Sequence, residues 1–378
     1  MKKHLSRRHW LKSGAMLAAG ATIADFWKPA EAAEIGLPNL AGMPIKARLN
    51  LNENPHGPAA SARKAIAEAI PTGFMYQREA IVTFKKMIAR ENGLSEDCIL
   101  LGAGSGELLM ATALNYTLKG GAGSNIVGGD PTYMQLLRTA TALGVGFEKV
   151  PLTTDFDYDF EKMASRINDK TSLVYVCNPN NPTGVLSPAE KLRPFCEEVS
   201  RKKPIFIDEA YMDYATDPKA SSMMPLIAKG ANVIITRTFS KVHGFAGLRI
   251  GYLVAQPEMV REINKFCTGG GSISATSMKG AIASYLDTEF VNYSIAKNAE
   301  AKAFLYKLLK EKGYSPLPSS TNFVLFPLKT DGKKFVEEMA KQGVAIRSWE
   351  FAGQQWCRVS MGTMDEMKVF GAAFQVLA

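Results

Sequence analysis

The stretch Thr238-Phe239-Ser240-Lys241-Val242-His243-Gly244-Phe245-Ala246-Gly247-Leu248-Arg249-Ile250-Gly251 places a lysine and an arginine in one glycine-studded loop. It follows the apolar run Val233-Ile234-Ile235-Thr236, so Lys241 stands just past the carboxyl end of a strand. A lysine attacks an aldehyde only as the neutral amine, so a site that uses one must lower its pKa. The donor fork of Arg249 suits bidentate capture of an anion, and the hydroxyls of Thr238 and Ser240 can donate to the same anion. Alone, a lysine after a serine is mostly just solvated surface, and Arg249 reads equally well as a surface residue. Their neighbours in the fold decide the matter.

Apolar runs alternate with helical patterns from about residue 95 to 265. The strands expected are Ile99–Leu101, Asn125–Val127, Ser172–Val176, Pro204–Ile207, Val233–Thr236 and Gly251–Val254, with helices over Glu107–Lys119, Tyr133–Leu143 and Pro188–Ser200 between them. This order implies a three-layer α/β/α domain around a mainly parallel sheet, whose ligands gather at the carboxyl ends of the strands. Beyond about residue 273 the pattern changes to a long helix over Glu289–Lys312, a strand at Asn322–Phe326, a helix near Lys333–Lys341, and short strands at Gly343–Arg347 and Trp356–Ser360. That is a smaller α+β domain. The boundaries read as a leader over 1–32, an arm over 33–71 joining the small domain, a large domain over 72–270 and a small domain over 271–378. The run Thr268-Gly269-Gly270-Gly271-Ser272 is a loop or hinge.

Other polar motifs fall at strand ends. Asp208, closing Ile205-Phe206-Ile207-Asp208-Glu209-Ala210-Tyr211, either caps the following turn or faces a pyridine nitrogen and keeps it protonated. Tyr211 is either core or a partner for a phenolic oxygen on that ring. Cys177-Asn178-Pro179-Asn180-Asn181-Pro182-Thr183-Gly184 is a rigid turn offering an amide to the same oxygen. Gly102-Ala103-Gly104-Ser105-Gly106-Glu107 runs from strand to helix, where backbone N–H groups can bind phosphate; it lacks the lysine of a nucleotide P-loop and the Rossmann spacing. Tyr133 follows Asp130-Pro131-Thr132 and can stack on a flat ring. Arg358, in the small domain, can close on a carboxylate.

The formal net charge is +9, and the six basic and two acidic side chains of residues 1–32 account for four of those nine charges. The remainder is mildly basic, without the Lys/Arg runs and interleaved aromatics that would favour nucleic acid. Five cysteines, an odd number at irregular spacing, argue against a disulfide framework, and the four histidines include two in the leader, too few for a histidine-based metal site. Ser6-Arg7-Arg8-His9-Trp10-Leu11-Lys12, a short run of small and apolar residues, and Ala30-Glu31-Ala32 resemble a twin-arginine export signal with a cleavage site. The apolar run is too short to span a bilayer. The resemblance implies a periplasmic protein that is free of the membrane once cleaved, and a cytoplasmic one if the signal is not used.

From Leu49-Asn50-Leu51-Asn52-Glu53-Asn54-Pro55 to Thr363 the chain resembles the fold-type I pyridoxal-phosphate aminotransferases of class I/II, in their histidinol-phosphate aminotransferase-like branch. The resemblance implies pyridoxal 5'-phosphate held as an aldimine on Lys241, with Asp208 on the ring nitrogen, Asn181 and Tyr211 toward the ring oxygen, and Tyr133 stacked. Gly104, Ser105, Gly106, Thr238, Ser240 and Arg249 would hold the phosphate, and Arg358 the substrate carboxylate. Tyr76, in Phe74-Met75-Tyr76-Gln77, would reach the phosphate of a partner subunit, which implies a homodimer with shared sites. The reaction implied is amino transfer between an amino acid and a 2-oxo acid. Some close relatives of this branch decarboxylate instead, and a cofactor-binding regulatory module is a reading from another class. This chain has His56 where the family usually has tyrosine, and Ser105-Gly106 where it usually has Ala-Asp. His56 and Arg347 are the further candidates for contact with substrate.

Overall fold

A computed structural model describes residues 44–377 and the backbone of Glu34–Ile35; the expected leader lies outside the described residues. Two short strands come first, β1 (Glu34–Ile35) and β2 (Ala47–Arg48). The large sheet is built from β3 (Ile99–Gly102), β4 (Asn125–Asp130), β5 (Gly146–Pro151), β6 (Thr171–Cys177), β7 (Ile205–Asp208), β8 (Val233–Thr238) and β9 (Gly251–Val254). The small domain adds β10 (Phe323–Pro327), β11 (Val344–Ala345), β12 (Arg347–Phe351) and β13 (Gln354–Ser360).

The large sheet has the order β3-β9-β8-β7-β6-β4-β5, with β9 antiparallel to both of its neighbours and every other pairing parallel. Its central strands are apolar throughout because both faces are buried. Val174, Val176, Ile205, Ile207, Val233 and Ile235 face the layer that contains Phe84, Ile88, Leu192 and Phe195. Leu173, Tyr175, Phe206 and Ile234 alternate with them and face Leu108, Leu109, Leu136, Leu137 and Val260. The six strands expected from apolar runs are all present. The seventh, β5, was not expected: it reads Gly-Phe-Glu-Lys-Val-Pro, and Val150 is its one fully buried side chain. It lies at the sheet edge, where a charged, mostly exposed strand is the stable choice.

In the small domain, β1-β12-β13-β10 form an antiparallel sheet, and β11 pairs in parallel with β2. The single strand expected over Gly343–Arg347 is therefore two strands, divided at the buried Ile346 and belonging to different sheets. Leu305 and Leu309 of the helix Thr288–Glu311 and Phe370 and Phe374 of the helix Met364–Leu377 cover Val324, Phe326 and Val359. Ala47 and Leu49 join this core, whereas Ala59 and Ala62 pack with Met278 and Ala281 into the core of the large domain. The expected boundaries at 71/72 and 270/271 cut across this packing. No helix among the described residues is long and apolar enough to cross a membrane.

Candidate active site

Parallel pairing sets Cys177 beside Asp208 and Asp208 beside Thr236, so the turn after β6, the end of β7 and the loop after β8 share one edge of the sheet. The side chain of Asp208 is 2 % exposed and accepts from Thr236 Oγ1 and from the Ala210 N–H, each at 3.2 Å. Burial outweighs these bonds and raises its pKa to about 6. Lys241 Nζ lies 5.3 Å from the centre of the Tyr211 ring and donates to the Asn52 carbonyl at 3.1 Å. Burial, with the positive charge of Arg358 second, lowers the Lys241 pKa to about 8. The loop after β8 thus supplies an amine that gives up its proton far more readily than a free lysine, and imine chemistry needs the neutral form. Behind Asp208, the fully buried Glu209 is bound by Ser222 Oγ, the Met223 N–H and Arg237, whose Nη2 lies 2.7 Å from Glu209 Oε2.

The expected anion cup is assembled from two loops. Gly104 precedes the helix Ser105–Gly120 with φ +82°, and a Cβ there would collide with the Arg249 guanidinium. A Cβ on Gly251 would lie 2.7 Å from Ser105 N. Side-chain-free backbone at both positions lets the helix N-terminus and the arginine converge. Arg249, itself left-handed at φ +50°, donates through Nη1 to Ser240 Oγ at 3.1 Å and to the Ala246 carbonyl at 2.8 Å. Thr238 Oγ1 accepts from the Ser240 N–H, which keeps its hydroxyl proton available as a donor. Glu107 Oε2 takes the Ala103 N–H at 2.5 Å and closes the turn below Gly104.

Tyr133 donates to Gln135 Oε1 at 2.8 Å, and burial, with the nearby Asp208, raises its pKa to about 12. Arg358 is 4 % exposed and crosses between the domains: its Nη1 donates to Asn181 Oδ1 at 2.7 Å and its Nη2 to the Asn50 carbonyl at 3.3 Å. Its guanidinium lies 4.4 Å from the Trp349 ring centre and 5.0 Å from that of Phe323. Arg347 is directly opposite Arg358 in the β12–β13 register. His56 stands apart, edge-on to Tyr293 at 5.4 Å and beside a small recess that Glu53, Asn298 and Asn322 also line. Tyr76 is 88 % exposed and borders a cavity shared with Met75, Thr268, Gly270 and Ile273.

Two groups of residues escaped the reading of the sequence. Asn52, at φ +54°, bonds to Lys241, Tyr211 and Ser360. Its place in Leu49–Pro55 was the only signal, with asparagine's tolerance of left-handed backbone as the physical hint. Tyr158 Oη bonds to Thr132 and Asn180, the neighbours of Tyr133 and Asn181, and so ties those two walls of the site together.

A phosphate needs converging N–H, hydroxyl and guanidinium donors, and a protonated pyridine needs a buried carboxylate. Both are present, with the amine of Lys241 at the same sheet edge, so these residues fit pyridoxal phosphate. The model of the family described as aminotransferase class I and II matches residues 44–374. A histidinol-phosphate aminotransferase of Moorella thermoacetica is 34% identical over 325 residues, 85% of this chain and 83% of that protein. One of Brevibacillus brevis is 33% identical over 327 residues, 84% of this chain and 86% of that protein. The solved histidinol-phosphate aminotransferase of Sinorhizobium meliloti, in complex with pyridoxal-5'-phosphate, superposes with a TM-score of 0.79 at 29% identity and covers 88% of this chain and 92% of its own. With its parallel sheet, buried amine and anion cup, this chain belongs to the class I and II aminotransferases.

Proposed function

We propose that this chain moves the amino group of an amino acid, or of an amine that carries an anionic group, to a 2-oxo acid with pyridoxal phosphate as cofactor. The observation that carries the reading is the convergence of Lys241, Asp208 and Arg358: Arg358 lowers the Lys241 pKa, while Asp208 and Lys241 each favour the other's charged form. The cofactor supplies an electron-poor ring that accepts the electron pair left at the substrate Cα when its proton departs. Lys241 is the base that takes this proton and the acid that returns one, with a pKa near 8 that suits both directions. Asp208 would hold the ring nitrogen protonated. Tyr133 and Asn181 would flank the ring, and Gly104, Ser105, Gly106, Thr238, Ser240 and Arg249 would hold the phosphate. Arg358, already aligned by Asn181 and the two aromatic faces, grips the substrate anion, carboxylate or phosphate ester.

The names of the relatives make histidinol phosphate one donor to try, beside the common amino acids. The test is a screen of donors against the purified holoenzyme, following loss of the cofactor's visible absorbance and trapping the carbonyl product, a 2-oxo acid from an amino acid or an oxo phosphate ester from histidinol phosphate. Lys241→Ala serves as the control and should lose roughly 10²–10⁴-fold in rate, since it removes the proton carrier outright. Release of carbon dioxide in place of a carbonyl product, or no conversion with any donor, would overturn the reading.

Two parts of the proposal concern the whole protein. Residues 1–32 are read as a twin-arginine signal; if so, replacing Arg7 and Arg8 with lysine retains the protein in the cytoplasm, and unchanged fractionation refutes it. The exposed Tyr76 is read as serving the site of a second subunit.

A further inference from the structure

We infer that Asn52 is a positioning residue of the reaction, docking the Lys241 amine on its carbonyl and turning the Tyr211 hydroxyl proton into the site through its side-chain amide. This rests on the proposed transamination and concerns how the chain's own groups are held for it.

Asn52 is 2 % exposed and held in the left-handed region at φ +54°. Ser360 fixes it there from both sides: the Asn52 N–H donates to Ser360 Oγ at 2.8 Å, and that hydroxyl donates to Asn52 Oδ1 at 2.8 Å. With Oδ1 committed, the amide has a single orientation, and Nδ2 donates to Tyr211 Oη at 3.0 Å. Tyr211 is therefore an acceptor toward Asn52, and its own O–H is available to an acceptor on the Lys241 side of the ring. The Asn52 carbonyl receives Lys241 Nζ at 3.1 Å and Asn322 Nδ2 at 3.0 Å. A carbonyl pinned by an asparagine from β10's leading edge is a fixed dock, so a Lys241 amine set free when a substrate amine takes its place has a defined position from which to reach Cα.

Ser360 lies on β13 two residues from Arg358, so one short chain of bonds joins the anion grip in the small domain to the amine and hydroxyl in the large domain. The ionisable groups around Lys241 and Tyr211 are Asp208, Glu53, Arg249, Arg358, Tyr133 and Cys177. Altering Asn52 removes none of these charges.

Asn52→Gly tests this, because glycine keeps the left-handed backbone and the carbonyl but deletes the amide. The readout is the pH midpoint of the holoenzyme's cofactor absorbance with no donor present. It remains readable even if no amino donor is ever found, which separates failure here from failure of the proposed reaction. A Tyr211 hydroxyl that no longer donates into the site should move the midpoint upward by about one unit. Turnover should fall about tenfold with the donor KM changed less than about threefold, because the group acts on proton transfer rather than on binding. In the Tyr211→Phe background, Asn52→Gly should move the midpoint no further, since the two act as one unit. A midpoint that stays put in Asn52→Gly, or shifts that simply add in the double variant, overturns the inference. If cofactor-free Asn52→Gly does not melt cooperatively, Ser360→Ala replaces it: loss of the clamp should raise the midpoint in the same direction, and an unmoved midpoint again overturns the inference.

Discussion

Asp208 and Lys241 show how burial prepares two side chains for opposite work. Burial disfavours charge on both, raising the carboxyl to about 6 and lowering the amine to about 8. In the cofactor-free protein, the raised Asp208 pKa means the folded state holds this proton more tightly than the unfolded chain. Its contribution to stability is then complete below the unfolded pKa near 3.8 and is lost as pH rises through about 6. Cofactor binding asks for the opposite state, since only the ionised carboxylate pairs with a protonated ring nitrogen. Cofactor affinity, titrated by absorbance, should therefore fall as pH is lowered through about 6. Asp208→Asn should abolish this dependence and reduce kcat/KM at least ~100-fold, as expected for the loss of one member of a buried charge pair. An Asp208→Asn variant with the wild-type pH profile would remove Asp208 from the role. Asp208, Lys241 and Arg249 were legible in the sequence because charge at the end of an apolar run, or among glycines, is conspicuous. Asn52 was not, because it works through a backbone carbonyl and a φ value that matter only once β13 and the loop after β8 are assembled around it.

At the scale of elements, the site exists because strand ends and one helix start share an edge, and its tightest tolerance is at the helix start. Gly104 at φ +82° and ψ 160° faces Arg249, so Gly104→Ala adds a backbone penalty of roughly 1–3 kcal/mol, in a region essentially only glycine occupies, and pushes the guanidinium out of the cup. The expected outcome is a cofactor affinity at least about tenfold weaker, with the far-ultraviolet spectrum unchanged; binding as tight as wild type would show that the phosphate does not depend on this approach. The elements legible beforehand were those whose burial writes itself into composition. β6, β7 and β8 are buried on both faces and read as continuous apolar runs, and the helix Thr288–Glu311 has its period plainly marked. β5 stayed hidden because an edge strand with Glu148 and Lys149 looks like a loop. The break at Ile346 stayed hidden because its cause, pairing of β11 with β2 some three hundred residues earlier, is not local.

For the whole molecule, the exposed apolar side chains deserve an explanation that a single subunit does not supply. Ile70, Phe74, Met75 and Tyr76 are 65 %, 85 %, 54 % and 88 % exposed within seven residues, beside the cavity at Thr268–Ala275. We read this contiguous apolar exposure as an interface, and Thr268 in that wall bonds to Glu107, in the turn proposed to hold the phosphate. A second copy seated here would set Tyr76 against its neighbour's cup, which is the shared-site dimer proposed above. Light scattering should then give twice the chain mass, and Phe74→Asp should halve it. Mixing provides the sharper test. Lys241→Ala subunits lack the proton carrier, and Tyr76→Ala subunits lack the residue lent to the partner. In a mixed dimer, the one site with an intact Lys241 receives its tyrosine from the Lys241→Ala subunit and is complete. Random reassortment of equal amounts makes half the dimers mixed, each with one complete site of two, so activity should recover to about a quarter of wild type. If Tyr76 instead served its own subunit's site, no reassortment could join it to an intact Lys241 without the other defect in the same chain, and the mixture would be no more active than the average of its parents.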